Sequence, residues 1–225
     1  MKKTILILLC ISVVLLNVIY LISAHSFMGL YYVLWIGGVG AFIWKKREAI
    51  GDKLKAWSLS EKYKFLLLGC GAVLLEEMLA SFSIHLSPAL TLGSYLHFVT
   101  QFWATNISAL AGFIIGWYLL LSRFEYSRKE VFILAGIFGL YAEKIFLYLL
   151  VSPLPGILLI LPTVFTYGII IFPAFLSLKR ENKKILPKYM SYPLGVFVPF
   201  IVSIPFIGVV LLLRYLHPTY FYFAG

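Results

Sequence analysis

The chain has 225 residues, 62% of them hydrophobic and 12% charged, with a formal net charge of +10 and a mean hydropathy of +0.97. That much apolar surface cannot be hidden in a soluble domain of this size, so the composition excludes one. The basic excess invites a nucleic-acid reading, but its placement along the chain, taken up below, excludes that partner.

Apolar runs of about 17–25 residues have the length of membrane-crossing helices. Only helices and closed barrels satisfy their backbone in lipid, and long runs without strict alternation mean helices. Seven are predicted, at roughly 4–23, 27–44, 64–84, 96–121, 131–151, 156–178 and 192–214. The expected fold is all-α, a polytopic bundle of about seven transmembrane helices forming one domain over 1–225, with no internal repeat.

In the first segment, Lys2 and Lys3 precede an apolar core from Ile5 to Ile22. That core exceeds the usual 7–15 residues of a signal peptide, so a retained helix is expected. Cys10 and Cys70 both fall inside predicted helices and suit neither a disulfide framework nor a thiolate metal site. After the second segment comes a polar stretch, 45–63, in which Ile50, Leu54 and Trp57 share a helix face among basic residues. That pattern predicts an amphipathic helix on the cytoplasmic membrane surface.

Ser58-Leu-Ser-Glu61 before the third segment and Ser127-Arg-Lys-Glu130 before the fifth fit the capping box. In the third segment Glu76 lies on a stripe of small residues with Gly69, Ala72, Ala80 and Ser83, and Glu77 lies about 100° further round. In the fourth, His97, Gln101, Thr105, Ser108, Gly112 and Gly116 fall within one arc. Their outer part is expected to line a water-accessible cleft, whereas Asn106 points away from the arc and suits an interhelical bond. Gly112 and Gly116 form a GxxxG contact pattern. The fifth segment carries Glu143 and Lys144 near its middle, with Gly136 and Gly139 on the glutamate's face. The sixth carries Thr166 and Tyr167 with Pro162 and Pro173; the seventh carries Pro193, Pro199 and Pro205. Kinks, or a break beside a cavity, are expected at those prolines.

With the amino terminus in the cytoplasm, the inner segments hold 17 of the 19 basic residues; Lys144 and Arg214 are the other two. This is the positive-inside pattern of a multi-pass protein of the cell membrane, with the carboxyl terminus outside. Membrane lipids are the expected partners, and nucleic acid is not. His25, His85, His97 and His217 fall near outer helix ends without tight ligand spacing, so no metal and no cofactor is predicted.

A carboxylate near the bilayer centre costs about 2.5–3.5 kcal/mol on insertion scales, and spanning alone does not require it. Glu76, Glu77, Glu143 and Lys144 are therefore the candidate catalytic residues, with His97, Gln101, Thr105, Ser108, Asn106 and Tyr167 as candidate cleft lining. An acid held neutral in such a cleft is the form that proton transfer uses. Three functions fit these residues: a membrane-embedded enzyme acting on a lipid or other apolar substrate, a proton- or cation-coupled small transporter or channel, and a membrane scaffold or assembly subunit.

The adjacent glutamates partly resemble the EExxxR motif of the glutamate-dependent intramembrane proteases of the CAAX-processing type. Here the motif reads Glu76-Glu77-Met-Leu-Ala-Ser81, with serine in place of arginine. The family's FxxxH is matched only by Phe102-Trp-Ala-Thr-Asn106, with asparagine in place of histidine, and a later HxxxN or HxxxD is absent. The resemblance implies that membrane-buried glutamates can activate water, as in an intramembrane hydrolase. It does not assign the chain to that family.

Overall fold

The structure, a computed structural model, describes residues 3–24, 26–84, 86, 91–179 and 183–218. Its helices are α1 (Lys3–Ala24), α2 (Leu30–Tyr32), α3 (Ala41–Ala56), α4 (Glu61–Ile84), α5 (Leu92–Phe102), α6 (Ser108–Arg123), α7 (Arg128–Ala142), α8 (Ile145–Val151), α9 (Pro153–Leu176) and α10 (Lys188–Leu216). Two π-helical stretches, Val33–Gly40 and Trp103–Ile107, join α2 to α3 and α5 to α6. Among the described residues five helical spans are long and apolar enough to cross a membrane, and a sixth if the bent pair α7–α8 is one span. The expected second span lies in the helical run from Leu30 to Ala56, which the π stretch divides into shorter elements.

Two sequence expectations change. The polar stretch after the second segment continues that helical run; Ile50 and Leu54 pack against the larger apolar cluster and Trp57 is exposed. The Ser58–Glu61 capping box does not form, because α4 starts at Glu61 and the Glu61 carboxylate accepts instead from the Lys179 amide at 2.9 Å. The prolines do not break their helices: α9 runs through Pro162 and Pro173, and α10 through Pro193, Pro199 and Pro205. A proline ring costs one backbone bond, which neighbouring helices can absorb inside a bundle. The Ser127–Glu130 box forms as expected, with the Glu130 amide 3.3 Å from Ser127 Oγ and the Ser127 amide 2.7 Å from Glu130 Oε2.

The ends that carry the basic residues are tied together. Arg128 donates to both oxygens of Glu48, at 2.8 and 3.3 Å, and Lys188 pairs with Glu130. Backbone bonds join the stretch 123–125 to Lys184. The buried Lys64 ammonium donates to the carbonyls of Leu54, Lys55 and Trp57 at 3.1, 3.4 and 3.2 Å, closing the end of α3 whose carbonyls lack helical partners.

Helix contact depends on small residues. A Cβ at Gly112 would lie 2.4 Å from Ser203 Cα, and one at Gly116 2.6 Å from Pro199 Cα, so the GxxxG face of α6 seats α10. Gly136 and Gly139 bring α7 equally close to Val164 and Tyr167 of α9. The buried apolar residues form two clusters. The larger centres on α4, α6, α7 and the second half of α9; the smaller joins Leu16, Ile145, Leu158 and Leu159.

Candidate functional site

At 1.5 Å per residue, Glu76 and Glu143 each lie about 22 Å along the helix from its basic end, so both sit well inside the apolar length. The two carboxyls are presented differently. Glu76 and Glu77 are side chains of an unbroken α4 and are less than 10% exposed. Glu143 caps α7, and Lys144 after it adopts φ 54°, ψ 30°, the left-handed conformation. Lys144 is the one non-glycine residue with positive φ among those described. That conformation costs an L-residue about 1–2 kcal/mol. It ends α7, and α8 departs at 56°. The break therefore falls at the charged pair itself, where the sequence offers neither proline nor glycine.

Each acid is held by a neutral donor from another element. Tyr31 Oη donates to Glu76 Oε1, and Thr166 Oγ1 lies 3.5 Å from the same phenol. Asn106 Nδ2 donates to Glu77 Oε1 at 2.6 Å. Tyr167 Oη donates to Glu143 Oε1 at 2.7 Å. Asn106 belongs to the π stretch between α5 and α6, and such insertions recur at functional sites because they turn a side chain out of helical phase. The Trp103 indole in the same stretch donates to the Leu74 carbonyl at 3.0 Å and fastens it to α4.

Glu76, Glu77, Asn106, Glu143 and Tyr167 line one cavity of about 730 Å³ between α4, α6, α7–α8, α9 and α10. Its floor holds Glu76, Glu77, Leu110, Phe138, Tyr167 and Ile170, which are buried. Its rim holds Tyr141, Glu143, Lys144, Phe146, Leu147 and Ile207, which are exposed. The rim lies along α7, α8 and α10, where Tyr141, Phe146, Leu147 and Ile207 accompany the charged pair Glu143–Lys144.

Of the candidate catalytic residues, Glu76, Glu77, Glu143 and Lys144 all reach this wall, as do Asn106 and Tyr167. His97, Gln101, Thr105 and Ser108 are not among the residues lining this cavity. Thr105 and Ser108 bond to carbonyls of their own helix at 3.0 and 2.8 Å, Gln101 Nε2 lies 3.0 Å from His97 Nε2, and the glycines that continue the arc face α10. Lys144 forms no ion pair among the described residues. Sequence reasoning missed Tyr31: nothing about a tyrosine early in an apolar segment points to α4.

No group of three or more possible metal ligands comes together among the described residues. His25 and His85 lie outside the described residues, and His97 is a half-helix away from the glutamates. No family model, curated protein or solved structure matches the chain.

Proposed function

We propose that the protein is a membrane-embedded enzyme acting on a lipid or other apolar substrate, with seven spans, the amino terminus in the cytoplasm and the carboxyl terminus outside. The observation that carries this reading is the cavity whose wall holds carboxyls from α4 and from the α7–α8 break, read here as opening sideways to lipid. Cavities of 300–1,000 Å³ with apolar walls and a few convergent polar groups are typical of small-molecule sites. An amphiphile entering from the bilayer would meet the rim, Glu143 and Lys144 included, first and the buried Glu76–Glu77 pair last.

In this reading one carboxylate of the Glu76–Glu77 pair takes a proton from the attacking hydroxyl or water, and a second acid returns one to the leaving group. Glu143 is the partner acid. The Lys144 ammonium stands on the same wall, where it would stabilise developing negative charge. Tyr31, Asn106 and Tyr167 orient the three acids without neutralising them.

A second reading, a proton- or cation-coupled transporter using the same acids, is favoured by the broken α7–α8 span, since transporters place sites at interrupted helices. A scaffold role is disfavoured by the size of the cavity, because a polar layer that only fixes register would be closed and fully paired. The test is Glu76→Gln, Glu77→Gln and Glu143→Gln in native membranes, read by lipid profile and proton flux. The enzyme reading expects a lipid species to accumulate, with turnover down about 10²–10⁴-fold. Loss of proton flux with an unchanged lipid profile would select the transporter, and wild-type behaviour of all three would remove the site.

A further inference from the structure

Two backbone defects bracket the same piece of the molecule. The first is Lys144, the left-handed residue between α7 and α8. The second is Pro162 inside α9, which has no N–H to offer the carbonyl four residues before it. Between them lie α8, the one-residue link Ser152 and the first part of α9.

The packing changes near the same two places, with Leu140 of α7 and Ile19, Tyr20 and Tyr32 of neighbouring elements seated against the bracketed piece. Ile145, Leu158 and Leu159, all between the defects, form the smaller apolar cluster with Leu16 of α1. From Tyr167 onward the buried residues of α9 belong to the larger cluster. Within the bracketed piece the two arms are closely fitted: a Cβ at Gly156 would lie 2.8 Å from Leu149 N and 3.0 Å from the Tyr148 carbonyl carbon. Phe146 and Leu147, from the same piece, form part of the cavity rim.

We propose that residues 145–161 move as one body on hinges at Lys144 and Pro162, and that this movement opens and closes the lateral mouth of the cavity. Motion concentrates where few residues can absorb the change in backbone angle, and here the piece would slide against Leu16 of α1. Straightening at Lys144 relieves a left-handed lysine, while the bent form keeps Phe146 and Leu147 on the rim, so each state has something in its favour. The hinge residue adjoins Glu143, so the movement also repositions an acid relative to Glu76 and Glu77. The inference concerns access to the cavity and holds whichever chemistry the acids perform.

Spin labels test it in the full chain in bilayers, with Cys10→Ser and Cys70→Ala as background. One pair, Leu150→Cys and Ile204→Cys, spans the moving body and α10 at exposed positions. The control pair, Leu67→Cys and Ile201→Cys, joins α4 to α10. Seven residues of helix extend about 10 Å, so a swing of the observed bend displaces the far end of α8 by roughly 5–10 Å. Lys144→Val disfavours the left-handed form and shifts the 150–204 distribution toward the straight state; Lys144→Asn, which tolerates it, shifts the distribution the other way. Pro162→Ala narrows the distribution, and the control pair stays fixed throughout. If Lys144→Val does not accumulate in the membrane, Lys144→Asn and Pro162→Ala carry the test. An identical 150–204 distribution in wild type and every variant obtained overturns the proposal.

Discussion

Three acids in the cavity wall are held by phenols and an amide, not by cations. A neutral donor fixes a carboxyl's direction while leaving its charge available, whereas an ion pair would neutralise it and be costly to disturb. Tyr31 is the clearest instance, because it is buried, contributes nothing to the wall, and points its hydroxyl at Glu76. Tyr31→Phe should leave expression intact, lower stability by about 1–3 kcal/mol through the unmatched acceptor, and reduce whatever turnover or flux Glu76→Gln abolishes. Thermal unfolding in detergent beside the activity measurement checks this; full activity in Tyr31→Phe would show that Glu76 does not depend on the phenol. At the basic end, outside the apolar spans, the Arg128 guanidinium holds the Glu48 carboxyl below its usual range. A depressed carboxyl contributes stability above its unfolded value and loses it as pH falls through the folded one. The Tm gap between wild type and Glu48→Gln should therefore close as pH drops below about 4. A gap that stays constant with pH would remove the ion pair as its cause.

At the scale of elements, close helix contact and helix-end closure are the features most exposed to test. Gly116→Ala must push α10 off α6, because the added carbon meets the Pro199 backbone, which cannot swing aside as a side chain can. A loss of about 1–3 kcal/mol is expected. Gly37→Ala, with open space around it, should be tolerated. Equal Tm values for the two would contradict the α6–α10 seat. Lys64→Met keeps the stem's apolar packing but strips three carbonyls of their donor, so a loss of about 1.5–3 kcal/mol is expected, again by thermal unfolding. The small residues on α6 and α7 were legible in sequence, since glycines three or four apart on one face let helices approach closely. The break was not. Prolines advertise a broken helix, yet the five in the interiors of α9 and α10 are absorbed, while the bend occurs at Glu143-Lys144, where tertiary packing outweighs local preference. The interhelical bond expected of Asn106 is made to Glu77, whereas the π stretch that carries it has no sequence signature.

For the whole molecule, apolar run length made the all-helical architecture readable, with five or six described spans long and apolar enough to cross a membrane. The acids were readable as a group because burying them at mid-span has no structural motive. Which of their neighbours would face the cavity depended on helix phase across two π stretches and a left-handed residue, none of which has a sequence signature here. What unites these scales is one lateral cavity shared by Glu76, Glu77 and Glu143. An apolar carbodiimide and a water-soluble one, applied separately to the protein in membranes and mapped by mass spectrometry, probe that claim directly. The apolar reagent should modify Glu143 and one of the Glu76–Glu77 pair, with doubly modified chains rarer than independent reaction would give, while the water-soluble reagent reaches Glu48 and spares all three. Independent modification of Glu143 and the pair, or ready labelling of all three from water, would contradict a shared cavity facing the lipid.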